Sequence, residues 1–259
     1  MKLLKPSNAA EAVKLKKANP KARYVSGGTE IFSHQAVPPY KGDVIDISRI
    51  LNNSISPFQI GAAATLEEIR TSFDTLDFMK QATSNIGNIN IRNMGTIGGN
   101  IASGKSSSDI IPALIASKAS LTVEKEKGRE DISVEDWISS PEGIILFVNI
   151  PDSGLTVLVR KFSRTTNDIA IMNLAIGYKL DNDTLEEIII VAGCLGPQVV
   201  RLKKTEDYLL GKDLSEIEIE DILNEALGEI SPVTDHRASK EYRMSLVKAG
   251  LEEFLREVK

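Results

Sequence analysis

The chain has 259 residues, of which 42% are hydrophobic and 26% charged, with a formal net charge of -5. That is an ordinary globular balance with room for two domains or one large one, and its acidity supplies no electrostatic footprint for nucleic acid. No apolar run approaches the roughly 18 residues of a spanning helix, and the first 17 residues scatter lysines among their apolar positions, so no secretory signal is expected and the cytoplasm is the expected compartment.

Ala9, Ala12, Val13, Leu15 and Ala18 recur at helical spacing after Pro6-Ser7, which predicts a helix over 8–19 capped by Ser7 or Asn8. A short strand from Arg23 to Ser26 runs straight into Gly27-Gly28. Further strands are predicted over 44–47 and 58–62, with turns at Pro38-Pro39 and Asn52-Asn53. Thr65-Leu66-Glu67-Glu68 has capping-box order, and a second helix is predicted near 75–82. The segment 91–117, IRNMGTIGGNIASGKSSSDIIPALIAS, is the most informative stretch. Gly95, Gly98 and Gly99 read as positions free to take positive φ and to approach a ligand, while Thr96, Asn100, Ser103 and Ser106 to Ser108 offer hydroxyl and amide groups. Asp109 then precedes Ile110, Ile111, Ala113, Leu114 and Ile115, the first turns of a buried helix. Strands follow at 120–124, 143–150, 156–163, 169–180 and 185–192, interrupted by a charged turn at 125–131 and a loop at 151–154. Helices are predicted at 205–210, 214–227 and 240–258, separated by Gly211 and Ser231-Pro232. This succession argues for an α+β chain with a boundary near residues 150–156.

Cys194 is the single cysteine, so this chain alone forms no disulfide, iron–sulfur cluster or thiolate zinc site; any redox metal must come from a partner. His34 and His236 are the two histidines, too few for a three-histidine centre, and both read as surface or loop residues. Cys194 reads as a small buried filler, Trp137 as the residue packing a helix onto a sheet, and Lys14, Lys16, Lys17, Lys21 and Arg23 as a solvated face. The glycine pairs carry the chemistry. A pyrophosphate is held best by fixed backbone N–H dipoles at close range, which glycines expose without side-chain obstruction. A tight turn is the plain alternative for either pair alone, but the two together, flanked by Thr, Ser and Asn, point to one ligand. Neither has the spacing of the dinucleotide-binding fingerprint or of a phosphate loop.

SGGTEI at 26–31, taken with the 91–117 segment, resembles the FAD-binding medium subunits of the molybdenum hydroxylases, the xanthine dehydrogenase and carbon monoxide dehydrogenase family. The strings KFSRTTNDIAIMNLAI, GCLGPQVVRLKKTEDYLLGK and ASKEYRMSLVKAGLEEFL extend the resemblance over the whole chain. It implies an FAD-binding domain of the vanillyl-alcohol-oxidase type over 1–153, made of two α+β subdomains at about 1–54 and 55–153. A C-terminal α+β domain with an antiparallel sheet and helices is implied over 154–259. The implied cofactor contacts are Tyr24, Val25, Ser26, Gly27, Gly28, Thr29, Glu30 and Ile31 around the FAD phosphates, with Gly95, Thr96, Ile97, Gly98, Gly99 and Asn100 on the opposite wall. Asp109 is implied at the adenosine end, accepting from a ribose hydroxyl. Ile86, Ile145 and Lys161 match further contact positions, with Lys161 a cation beside the flavin ring.

No side chain in this scheme acts as acid, base, nucleophile or metal ligand, because the flavin carries the chemistry. The 24–31 loop holds neither His nor Cys, so FAD is expected to bind non-covalently. Where many family members have Asn-Ala-Ser-Pro, this chain has Ser103-Gly104-Lys105-Ser106; Lys105 reads as a solvated loop residue rather than a phosphate ligand. Arg164, in the turn after Lys161, either governs nicotinamide access or is a plain loop arginine. The implied partners are a large molybdopterin subunit and a small [2Fe-2S] subunit, with electrons passing through FAD to NAD+ or another acceptor. The rival readings are a stand-alone flavin reductase of the same fold and a non-catalytic nucleotide-binding assembly subunit.

Overall fold

Short aliphatic strands bounded by turn residues build three sheets in the computed structural model, which describes residues 1–33 and 39–258. His34 and Pro38 therefore lie outside the described residues. The chain divides into two compact units, Met1–Gly104 with Ala119–Pro151, and Lys105–Lys118 with Asp152–Lys259.

The first unit holds a parallel sheet in which Val44–Asp46 lies between Leu3–Leu4 and Arg23–Val25. The helix Ala9–Ala18 starts at Asn8, whose side chain accepts from the Glu11 N–H, while Ser7 donates back to the Glu11 carboxylate. Its Ala9 and Ala12 pack with Ala22, Ile45, Ile47, Ile144 and Leu146 in one apolar cluster. The second sheet of this unit is antiparallel, ordered Ile55–Ser56, Gln59–Gly61, Ile144–Asn149, Ser120–Lys125, Gly128–Ser133. Its last strand lies in the stretch predicted as a charged turn. Charge does not prevent this, because Gly128 takes φ +118 at the hairpin and Arg129, Glu130 and Asp131 sit exposed on an edge. The capping box forms as predicted on helix Leu66–Thr71, with Thr65 and Glu68 bonded reciprocally. Trp137, on helix Val134–Ser139, is buried and donates to the Glu142 carbonyl at 3.1 Å.

The second unit is built on a four-stranded antiparallel sheet ordered Val200–Arg201, Thr184–Gly193, Met172–Asp181, Thr156–Phe162. Helices Lys203–Leu209, Ile219–Glu229 and Lys240–Val258 follow, and Ile222, Ala226, Leu251 and Phe254 close a core with Leu174, Ile176 and Ile190. Helix Ile110–Ala116 belongs to this unit. Every residue in it is buried, and its C-terminal end approaches the sheet so closely that a Cβ on Gly177 would lie 2.0 Å from the Ala116 carbonyl oxygen. Among the described residues no helix is long and apolar enough to cross a membrane.

Candidate cofactor site

In the first unit the two glycine segments meet. A Cβ added to Gly27 would lie 1.7 Å from the Met94 carbonyl oxygen and 3.3 Å from the Gly95 Cα, so the backbone of one segment lies directly on the other. One added to Gly95 would sit 3.5 Å from the Thr29 hydroxyl. Gly28 takes φ +72, and its carbonyl accepts from the Phe32 N–H at 3.0 Å, closing a one-turn loop after the strand Arg23–Val25. Among the described residues no acceptor meets the N–H groups of Gly27, Gly28, Thr29 or Ile31. A left-handed residue followed by donors with no internal acceptor is the arrangement in which backbone dipoles hold an anion. Behind the loop, the half-buried Tyr24 donates to the Ala12 carbonyl at 3.4 Å, and burial pushes its phenol up to about 12.

The opposing segment differs from its sequence reading. Thr96 caps a helix, Ile97–Ser103, and accepts from the Gly99 N–H at 3.1 Å. Gly98 and Gly99 are therefore helical, and Gly95 has φ -66; none of the three takes the positive φ expected for it. The glycine at 98 serves close packing instead. A Cβ there would lie 2.8 Å from the Ala62 Cβ and 2.9 Å from the Ala62 carbonyl oxygen. The N–H groups of the first turn are already engaged: Ile97 donates to Ala64, Gly98 to Ala62 and Asn100 to Thr96, at 3.0, 3.0 and 2.9 Å. Gly95, Thr96, Ile97 and Gly98 are buried, so Gly99 and Asn100 are the members of this expected wall with more open positions. Spare backbone donors thus belong to the first glycine loop.

Ile86 is half-buried in the turn before helix Ile89–Met94, and its placement depends on two residues the sequence reading did not single out. The Arg92 guanidinium donates to the carbonyls of Ile86 and Gly87 at 3.3 and 2.9 Å and to Glu67 Oε2 at 2.7 Å. Arg70 and then Arg92 hold the Glu67 carboxyl down to about 2. Arg92 stands inside the IRNMG string, so the signal was present, but only the fold supplies its partners. Ile145 is buried in the strand Ile144–Asn149, against which the helix Ile97–Ser103 packs.

Asp109 and Lys161 lie in the second unit, where they form a pair. Lys161 Nζ is 3.7 Å from Asp109 Oδ2, and each side chain is only 5% exposed. The resemblance implied the adenosine end for Asp109 and the flavin ring for Lys161; in this unit the two side chains are partners within 4 Å of each other. Asn173 donates to Asp109 Oδ1 and to the Ser108 carbonyl, both at 3.0 Å, and Lys161 also donates to the Thr166 carbonyl at 3.2 Å. Burial pushes the Asp109 carboxyl up to about 6 despite the lysine and the amide. Asp109 does not cap the helix it precedes; the Ser108 hydroxyl accepts from the N–H groups of Ile110 and Ile111.

Cys194 is buried as expected, and burial raises its thiol. His236 is exposed, and the carbonyls of His236 and Arg237 accept from Arg164 at 3.1 and 2.9 Å, anchoring the turn that follows Lys161. Among the described residues no three His, Cys, Asp or Glu side chains converge as a metal site would require.

Residues 1–153 match the family model of the FAD binding domain in molybdopterin dehydrogenase, and residues 158–258 match that of the CO dehydrogenase flavoprotein C-terminal domain. The chain belongs to this family of FAD-binding flavoprotein subunits. It is 27% identical over 255 residues to the glyceraldehyde dehydrogenase medium chain of Sulfolobus acidocaldarius, covering 92% of this chain and 91% of that one. It is 25% identical over 260 residues to the xanthine dehydrogenase FAD-binding subunit of Escherichia coli O157:H7, covering 92% and 89%. Its fold is that of a chain of carbon monoxide dehydrogenase from Hydrogenophaga pseudoflava, with a TM-score of 0.88 at 22% identity over 98% of this chain and 95% of that one.

Proposed function

We propose that this chain is the FAD-carrying electron-transfer subunit of a xanthine-dehydrogenase-like molybdenum hydroxylase. It works in the cytoplasm beside a large molybdopterin subunit and a small [2Fe-2S] subunit and delivers electrons to NAD+ or another acceptor. The observation that carries the reading is the first glycine loop. Its N–H groups at Gly27, Gly28, Thr29 and Ile31 have no acceptor among the described residues, and its backbone is pressed against Met94 and Gly95. These donors fit the pyrophosphate of a non-covalently held FAD, which supplies two-electron and one-electron chemistry when bound. Tyr24 to Ser26 lead the chain into that loop. Gly99 and Asn100 offer the more open part of the facing helix. Asp109 and Lys161 enter the reading as one buried pair of the second unit, with Lys161 kept as a proposed cofactor contact.

The single cysteine of the chain supports placing the iron–sulfur clusters on a partner. Purification of the native complex through a tag on this chain, with metal analysis, tests the assignment. Molybdenum and iron should co-purify with two further chains, and a heterocyclic or aldehyde substrate should drive reduction of NAD+ or an artificial acceptor. A tagged chain that is folded and flavin-loaded but recovers neither metal would refute the partner assignment.

A further inference from the structure

The amide of Asn173 stands at a position where its orientation is forced. Both of its N–H bonds are used, one on the Ser108 carbonyl and one on Asp109 Oδ1, each at 3.0 Å. Turned over, the amide would set its own oxygen against a carbonyl and a carboxylate, three acceptors without a proton among them. The side chain is buried, and its Oδ1 faces the paired strand, where it finds no donor among the described residues. The residue opposite is Gly193, and a Cβ there would lie 2.0 Å from that oxygen and 2.3 Å from the Ser106 carbonyl oxygen. Next in the chain, Cys194 takes φ +63 and donates its N–H to the same Ser106 carbonyl at 2.9 Å. The segment 106–109 is thus gripped by Asn173 on the strand Met172–Asp181 and by Cys194 just after the strand Thr184–Gly193, and the Asn173 acceptor finds no donor among the described residues. A purely structural filler at this position would be apolar, because an orphaned buried acceptor is unfavourable.

We propose that Asn173 is a positioning residue, which fixes the Asp109 carboxylate so that Asp109 in turn holds the Lys161 ammonium in place. A neutral donor suits this task. It stabilises the carboxylate without adding a second cation that would compete with Lys161 for the same oxygens. The charged and titratable groups around Asp109 are Lys161 from the strand Thr156–Phe162 and Cys194 after the strand Thr184–Gly193, with Arg237 and Arg243 beyond the thiol. The relevance of the clamp to the cofactor rests on the reading of Lys161 given above.

The test is a carbon-13 NMR titration of the full chain carrying labelled aspartate, with Asp109 identified by its loss in Asp109→Asn. Removing the amide in Asn173→Ala should raise the Asp109 midpoint by about one pH unit or more, a tenfold change in proton affinity. Asn173→Ser, which keeps a donor, should fall between that variant and the native chain, and it decides the matter if Asn173→Ala does not fold. An unchanged midpoint in a folded variant overturns the proposal, since a residue that only packs would leave the proton affinity of Asp109 alone. The same variants are then titrated with FAD across pH. An FAD profile that moves with the Asp109 midpoint supports the link to the cofactor. A shifted midpoint with an unshifted FAD profile supports the clamp and overturns the cofactor role of Lys161.

Discussion

Gly27→Ala is expected to lose about 3 kcal/mol of folding stability and at least about a hundredfold in FAD affinity. The added Cβ would meet the Met94 carbonyl oxygen at 1.7 Å and the Met94 carbonyl carbon at 2.7 Å. Both are backbone atoms next to Gly95, whose carbonyl is tied to the Leu66 N–H at 2.9 Å, so no rotamer change relieves the clash. The loop must move away from 94–95, and the N–H groups of Gly27, Gly28, Thr29 and Ile31, which meet no acceptor among the described residues, move with it. Gly104→Ala is the matched control. Gly104 takes φ +60 at the end of the helix Ile97–Ser103 with nothing within 4 Å of an added Cβ, so only the left-handed backbone penalty of about 1 kcal/mol applies. Urea unfolding midpoints and calorimetric FAD titration of the two variants separate the effects. Equal behaviour of Gly27→Ala and Gly104→Ala would show that the approach of the two segments does not matter.

The Asp109–Lys161 pair should produce the second large effect, and its size depends on pH. Lys161→Met leaves a carboxylate buried without its cation, which costs about 3–5 kcal/mol at pH 8. At pH 5 the carboxyl takes up its proton and the penalty shrinks. In the native chain the folded-state value of Asp109 is about 6, raised by burial from 3.8. Between those values the folded chain keeps a proton that the unfolded chain releases. The contribution is therefore complete below the unfolded value and is lost as pH rises through about 6. It amounts to about 3 kcal/mol at most. Asp109→Asn should abolish that slope. Urea midpoints collected from pH 4.5 to 8 check this, and an identical slope in Asp109→Asn would assign the pH dependence to another group.

Local signals were legible in the sequence, and contacts between distant residues were not. The Thr65–Glu68 capping box and a cap at Ser7 or Asn8 depend on residues within one turn; the box forms, and of the two candidates Asn8 is the cap. The antiparallel character of the C-terminal sheet followed from strands joined by short turns. The helix Ile97–Ser103 was hidden because a Gly-Gly pair has poor helix propensity; what overrides it is packing against Ala62, more than thirty positions earlier in the chain. Glycine there answers to lack of space rather than to a positive φ, a distinction that composition cannot make. The pairing of Asp109 with Lys161 and Asn173 was equally invisible, since the partners come from separate strands of a sheet, and residue matching placed the two charges apart. Arg92 stood within the most informative segment yet gained its meaning only from Glu67 and the 86–87 carbonyls.

The most direct measurement is an FAD titration of the purified full chain, followed by the visible flavin absorbance and by quenching of flavin fluorescence. The expected result is saturable binding of one FAD per chain, complete release of free flavin when the protein is denatured, and loss of binding in Gly27→Ala but not in Gly104→Ala. A folded chain that takes up no flavin, or one whose affinity is the same in both glycine variants, would contradict the assignment of the first glycine loop as the cradle of the cofactor.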